Sequence, residues 1–201
     1  SEKRNLEEYD VVVSSGEQVT AGLLAMAITD LSVKSRSLMG WQIPIITDDT
    51  HYKAIIENIS NTNIFTLLKN EEIVVIPGFQ GVTSENRIST LGRGGSDTSA
   101  VAIAASIKAE RCDIYTDVDG VYTADPRMVP KAKKLKKISY EEMLEMASQG
   151  AKVLQTRSVA LAMKNKLKIN VLSSFEDKEG TLVVDEEEIM EKNIVSGIAF
   201  S

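Results

Sequence analysis

Residues 93–97, "RGGSD", stand directly before an alanine-rich apolar run, and their types suit the capture of an anion. A guanidinium can grip a carboxylate or phosphate through two parallel hydrogen bonds. The adjacent Gly94 and Gly95 remove side chains where the backbone must turn or let a ligand approach closely. Behind them Ala100, Ile103, Ala104 and Ile107 recur at helical spacing, which predicts a helix over residues 97–109. Ser96 is expected as its N-cap, and Asp97 suits the positive end of the helix dipole. A helix start with its amides beside a glycine turn is a ready site for phosphate or carboxylate.

Two further stretches carry functional residue types. "YTDVDGVYTADPR", residues 115–127, runs from a strand into a polar turn containing Tyr122, Pro126 and Arg127. "SQGAKVLQTRSV", residues 148–159, sets Lys152 near the start of a helix. Each of the three has an ordinary structural reading as well: a capped helix, a surface loop, a solvated lysine.

Several other chemistries fail on their own requirements. No Gly-Lys dipeptide occurs, so there is no Walker A loop. "GRGGSD" has Asp97 where a dinucleotide fingerprint needs its third glycine. "DVDG" at residues 117–120 begins like a calcium loop, but Tyr122 replaces the required glycine and Met128 the terminal glutamate. The single histidine, His51, cannot build a zinc site, and nothing in the sequence sets it beside a nucleophile.

The elements that must position these residues read as alternating strands and helices. Short apolar runs ended by turn residues, at 43–48, 72–79, 112–117 and 168–174, suit buried parallel strands. Helical stretches are expected at 17–31, 62–70, 97–109 and 140–165. "DVVVSSGE", residues 10–17, is β-branched enough for a strand but could equally lead into the first helix, and that boundary stays open. Alternation of this kind implies an α/β fold, a three-layer αβα sandwich with a mainly parallel central sheet and ligands at the carboxyl ends of its strands.

The 201 residues, 43% apolar, suffice for one α/β domain. No uninterrupted apolar stretch reaches a membrane span of about 18 residues, so no membrane partner is expected. Cys112 alone excludes an internal disulfide and suggests a reducing cytoplasm. The net charge of −6 argues against a nucleic-acid partner, and "KAKKLKK" at 131–137, without interleaved aromatics, reads as a solvated loop.

Taken in order and spacing, "EYDVVVSSGEQVTAGLLAMA", "GWQIPIITD", "GFQGVT", "TLGRGGSDTSAVAIAA", "IYTDVDGVYTADPR", "EEMLEMASQGAKVLQTRSV" and "VLSSF" resemble the catalytic domain of the aspartate kinases, within the amino-acid kinase family. The resemblance implies transfer of the γ-phosphoryl of Mg2+-ATP to the β-carboxylate of L-aspartate, the first step of lysine, threonine and methionine synthesis. It implies that Arg93 holds the substrate α-carboxylate and Glu17 its α-ammonium, with Gly94, Gly95 and Ser96 donating near the reacting carboxylate. Asp97 would orient the phosphate-contacting lysines, of which Lys152 is one. Thr116, Asp117, Tyr122, Thr123, Ala124, Asp125, Pro126 and Arg127 would hold ATP.

It further implies a homo-oligomer, a catalytic domain over residues 1–184, a charged connector over 185–193, and the first strand of a regulatory ACT domain over 194–201. Family members begin with a strand and a "KFGGTS" glycine loop followed by a helix and a second strand, and the 201 residues contain none of these. The expectation from this is an incomplete sheet and a poorly active chain.

Overall fold

The computed structural model describes residues 5–150 and 153–189. Lys152 and the expected strand over 194–201 lie outside the described residues. The chain divides into two compact units, Ser1–Ile107 and Lys108–Ser201.

The first unit opens with helix α1, Leu6–Asp30, capped by the Asn5 side chain at the Glu8 amide, with Glu7 and Glu8 in its first turn. The open boundary is thereby resolved: Val11–Val13 are helical, their strand propensity overridden by tertiary packing. From residue 11 to residue 28 the helix carries one charge, Glu17, and by length and composition it could cross a membrane. Its buried side nevertheless holds Asp10 and Ser14 beside Ala21 and Ala25.

Strands β1, Ser35–Ser37, β2, Ile45–Thr47, and β3, Ile56–Ile59, follow. Helix α2, Thr62–Lys69, then leads to β4, Ile73–Val75. A hairpin of β5, Gln80–Val82, and β6, Ile88–Thr90, precedes helix α3, Gly95–Ser106. β1 pairs parallel with β4, while β3-β2-β5-β6 form a second sheet in which β2 and β5 run parallel. Leu38, Ile43, Ile45, Ile64 and Leu67 make the core, joined by Ile103 of α3 and by Ile107, the C-cap of that helix.

The second unit sets β7, Arg111–Thr116, parallel to β9, Lys168–Ser173. β10, Thr181–Val184, runs antiparallel to β9 and parallel to β8, Lys137–Ser139. The helical stretch expected over 140–165 is two helices, α4, Tyr140–Ser148, and α5, Thr156–Asn165. Gly150 at φ 105° stands between them, a conformation that no helix contains. Ser139 and Glu142 form a reciprocal capping box that fixes the start of α4. The architecture is α/β with parallel-rich sheets, and two antiparallel excursions in the first unit, β3 and β6, went unforeseen.

Candidate functional site

The glycine turn before α3 is built for close approach. Gly92 and Gly94 both adopt φ 72°, the left-handed region that side chains resist. Gly94, not Ser96, is the N-cap; it makes no side-chain cap bond, and its carbonyl accepts both Thr98 N and Thr98 Oγ1. The expectation for Ser96 fails because the left-handed turn lets the helix begin two residues earlier. Ser96 and Asp97 thus stand inside the first turn of α3, where a helix leaves amides without intrahelical partners.

A second turn is pressed against this one. Phe79, at φ 71°, donates its amide to Ser99 Oγ at 3.0 Å, and its carbonyl accepts Leu91 N at 2.9 Å. A Cβ on Gly95 would stand 2.9 Å from both Phe79 Cδ2 and Leu91 Cβ, and one on Gly78 would stand 3.1 Å from Ser96 Cα. At Gly95 packing, not backbone angle, excludes a side chain, and at Gly78 it leaves little room for one.

Helix α1 reaches the same place. Gln18 Nε2 donates to Gln80 Oε1 at 3.2 Å, and Gln80, next to Phe79, is completely buried with its Nε2 meeting no hydrogen-bond partner among the described residues. Glu17 lies seven residues from Asp10 and four from Ala21, on the stripe that α1 otherwise buries, yet it is exposed. An exposed carboxylate on an inward-facing stripe marks an opening there. The linkage runs from α1 through Gln18, Gln80 and Phe79 to Gly95.

Asp10 fixes the helix. Its carboxylate is fully buried and accepts Thr90 Oγ1 at 2.6 Å, Thr90 N at 3.1 Å, Tyr52 N at 3.1 Å and a nitrogen of the His51 ring at 2.8 Å. Thr90 leads into Leu91 and the glycine turn, so the buried anion joins α1 to the segment that carries Arg93. His51 therefore has a partner and a structural task.

The second unit carries the other expected residues on the loop after β7. Thr116 Oγ1 donates to Asp117 at 3.1 Å, and Ser174 N donates to the Thr116 carbonyl. Gly120 at φ 145° brings the chain against Thr181, whose hydroxyl oxygen accepts Val121 N. Asp119 takes the Tyr122 hydroxyl at 2.9 Å and Lys134 Nζ at 3.2 Å. Burial favours the neutral form of Asp119, but these two donors outweigh it and hold its carboxyl below the ordinary value. The same hydrogen bond, followed by burial, raises the Tyr122 hydroxyl.

Arg127 folds back on Asp125 at 3.0 Å, and its hydrogen bonds depress the Asp125 carboxyl. Thr123 exchanges hydrogen bonds with Lys133 across the loop. Ala124 and Pro126 belong to the same turn.

A depression of about 300 Å³ lies at the carboxyl ends of β7 and β9, lined by residues including Tyr115, Ser173, Phe175 and Lys178. Exposed Phe175 and Tyr115 flank it, and sequence reasoning singled out neither. The signal available was an aromatic immediately beyond the end of an apolar strand. Gln80 and Asp10 were likewise missed, since a buried polar residue has no periodic signature of its own, and so was Phe79, whose left-handed turn its residue type does not announce.

Among the described residues no three carboxylate, histidine or cysteine groups converge as a metal cage.

The interlocked glycine turns, the left-handed start of α3 and the parallel-rich sheets place the chain in a class. It matches the profile of the amino acid kinase family over residues 1–173 and belongs to that family. Within it, the chain is 51% identical over 194 residues to an aspartokinase of Rickettsia bellii, covering 96% of this chain and 48% of that protein. It is 56% identical over 195 residues to the aspartate kinase of Pseudomonas putida, covering 96% and 47%. The crystal structure of E. coli aspartokinase III in complex with aspartate and ADP superposes with a TM-score of 0.83 at 33% identity, over 92% of this chain and 42% of that one. A UMP kinase of Bacillus anthracis, at 20% identity and a TM-score of 0.65, shares the fold. The chain spans about half the length of the curated relatives it matches.

Proposed function

We propose that this chain carries the catalytic machinery of an ATP-dependent aspartate kinase, forming 4-phospho-L-aspartate and ADP. The observation that carries the reading is the left-handed glycine turn that starts α3, sealed by Phe79 and flanked by Arg93. In this reading Arg93 grips the α-carboxylate of L-aspartate and Glu17 takes its α-ammonium, which leaves the β-carboxylate to face the donors of Gly94, Gly95 and Ser96. The bound state of aspartokinase III with aspartate and ADP supports the choice of ligands.

The β-carboxylate of aspartate, with an ordinary pKa of about 3.9, is already a nucleophile at neutral pH. One of its oxygens attacks the γ-phosphorus in line, the bond to the bridging oxygen breaks, and the electron pair leaves with ADP. No proton is abstracted, so no general base is needed, and the protein contributes positioning and charge neutralisation. Thr116, Asp117, Tyr122 and the 123–127 turn bind the nucleotide, Lys152 contacts its phosphates, and Asp97 orients that lysine. Mg2+ carried on ATP would supply screening of the phosphate charges.

The same reading makes residues 1–184 one catalytic domain, makes 185–193 a connector, and makes the protein a cytoplasmic homo-oligomer of amino-acid biosynthesis. The test is ADP release from Mg2+-ATP with and without L-aspartate, with Asp97→Ala alongside. Aspartate-dependent release that disappears in Asp97→Ala is expected. ATP binding with no aspartate-dependent release would reduce the chain to a nucleotide-binding module, and release driven by glutamate or UMP instead would reassign the substrate.

A further inference from the structure

Gln80 breaks a rule that folded chains keep. It is completely buried, yet its Nε2 meets no hydrogen-bond partner among the described residues. Its Oε1 accepts Gln18 Nε2 at 3.2 Å, and the same nitrogen reaches the hydroxyl oxygen of buried Ser14 at 3.4 Å. One amide–amide hydrogen bond contributes less than an unpaired buried donor costs. An apolar side chain of the same length would therefore serve stability at least as well. A polar group kept in spite of that cost is expected where function needs it.

The place of Gln80 in the fold shows what the need is. On β5 it stands opposite Thr90 of β6, and Thr90 holds Asp10. Directly opposed residues of an antiparallel pair present their side chains on one face. These two partners therefore hold α1 at two points, Asp10 and Gln18, eight residues or about 12 Å apart along the helix axis. One point of attachment leaves a helix free to tilt and roll about it; a second removes that freedom. The second point is the residue next to Glu17.

Gln80 is itself held in place. A Cβ on Gly40 would stand 3.5 Å from Gln80 Cγ, so the Gly40 backbone closes over its stem. Phe79, the preceding residue, packs against Gly95 at the start of α3. Two successive residues thus tie the turn of α1 that bears Glu17 to the turn that follows Arg93.

We propose that Gln80 is a positioning residue for aspartate: through Gln18 it sets how far the Glu17 carboxylate stands from the glycine turn, and so the spacing at which an α-ammonium and an α-carboxylate are gripped together. The inference rests on the kinase reading, in which Glu17 takes the α-ammonium. The test is NMR titration of this chain with L-aspartate and, separately, with ATP, beside thermal melts. Gln80→Met is expected to weaken aspartate binding by about 10-fold, part of the worth of one charge-assisted hydrogen bond, with ATP affinity and melting temperature unchanged. Gln18→Met and the double variant should each show the same loss, because the two amides act as a unit. In a Glu17→Gln background Gln80→Met should cost nothing further, since Gln80 acts through Glu17. An unchanged aspartate affinity in Gln80→Met, a parallel loss of ATP affinity and stability, or a penalty that persists in the Glu17→Gln background would overturn the proposal and leave the kinase reading standing. Failure of the unsubstituted chain to bind aspartate at all would overturn that reading, and the proposal with it.

Discussion

The Thr90 hydroxyl lies 2.6 Å from a carboxylate oxygen of Asp10, eighty residues earlier in the chain, and the Thr90 amide donates to the same group. Through this contact a helix and a strand share one buried anion, and the strand continues into the turn that bears Arg93. Removing the anion leaves the donors from Thr90, Tyr52 and His51 buried without an acceptor. Asp10→Ala is expected to lower stability by about 3–5 kcal/mol in urea titration. Asp10→Asn, which keeps one acceptor oxygen, should lose less. Equal losses for the two would show that the bonding, rather than the volume, had been misjudged.

Gly95→Ala tests the packing of the two turns. Its Cβ has no room between Leu91 and Phe79, each 2.9 Å away. The backbone must shift, at a cost of about 1–3 kcal/mol. Because the displaced atoms start α3, aspartate-dependent turnover should fall further than stability does. Comparing the variant's melting temperature with its turnover separates the two effects.

Arg93→Lys keeps the charge and gives up the planar fork. If Arg93 holds the α-carboxylate, the aspartate KM should rise by about 10- to 100-fold, the worth of one charge-assisted hydrogen bond, with the ATP KM unchanged. A parallel rise in both values would mean that the arginine serves the fold, and steady-state titration of each substrate decides.

Alkaline stability should report on Tyr140. Burial first, then the carboxylates of Asp185, Glu188 and Glu141, push its hydroxyl from 10.0 up to about 12. A group raised in the folded state contributes in full below its unfolded value and loses that contribution as pH rises through the folded one. Stability should therefore fall by about 2–3 kcal/mol between roughly pH 10 and pH 12. Tyr140→Phe should flatten that slope, which denaturant midpoints across the range would register.

The strands at 43–48, 72–79, 112–117 and 168–174 and the helices at 62–70 and 97–109 were legible because apolar runs between turn residues have few alternatives. The first helix was half legible: Glu17 onward carries helical spacing, but Val11–Val13 favour a strand in isolation and yield only to packing. Ser96 misled because a good capping side chain is outcompeted by a glycine that can enter the left-handed region. The residues "GRGGSD" pointed to the glycine turn proposed as the site, whereas Asp10, Phe79 and Gln80 could not, since their contacts arise only when distant segments meet. A buried carboxylate looks, in one dimension, like any acidic residue on a helix.

Cys112 is buried on β7, which ends its sheet among the described residues, and is the sole thiol of the chain. A thiol-directed reagent can reach it only when β7 parts from β9 or the unit opens altogether. Its rate of labelling is therefore a clock for one half of the molecule, and the half that holds Arg93 and Asp97, having no cysteine, stays silent. Timed against the loss of helix signal as denaturant rises, that clock would tell whether the two halves melt together or in turn.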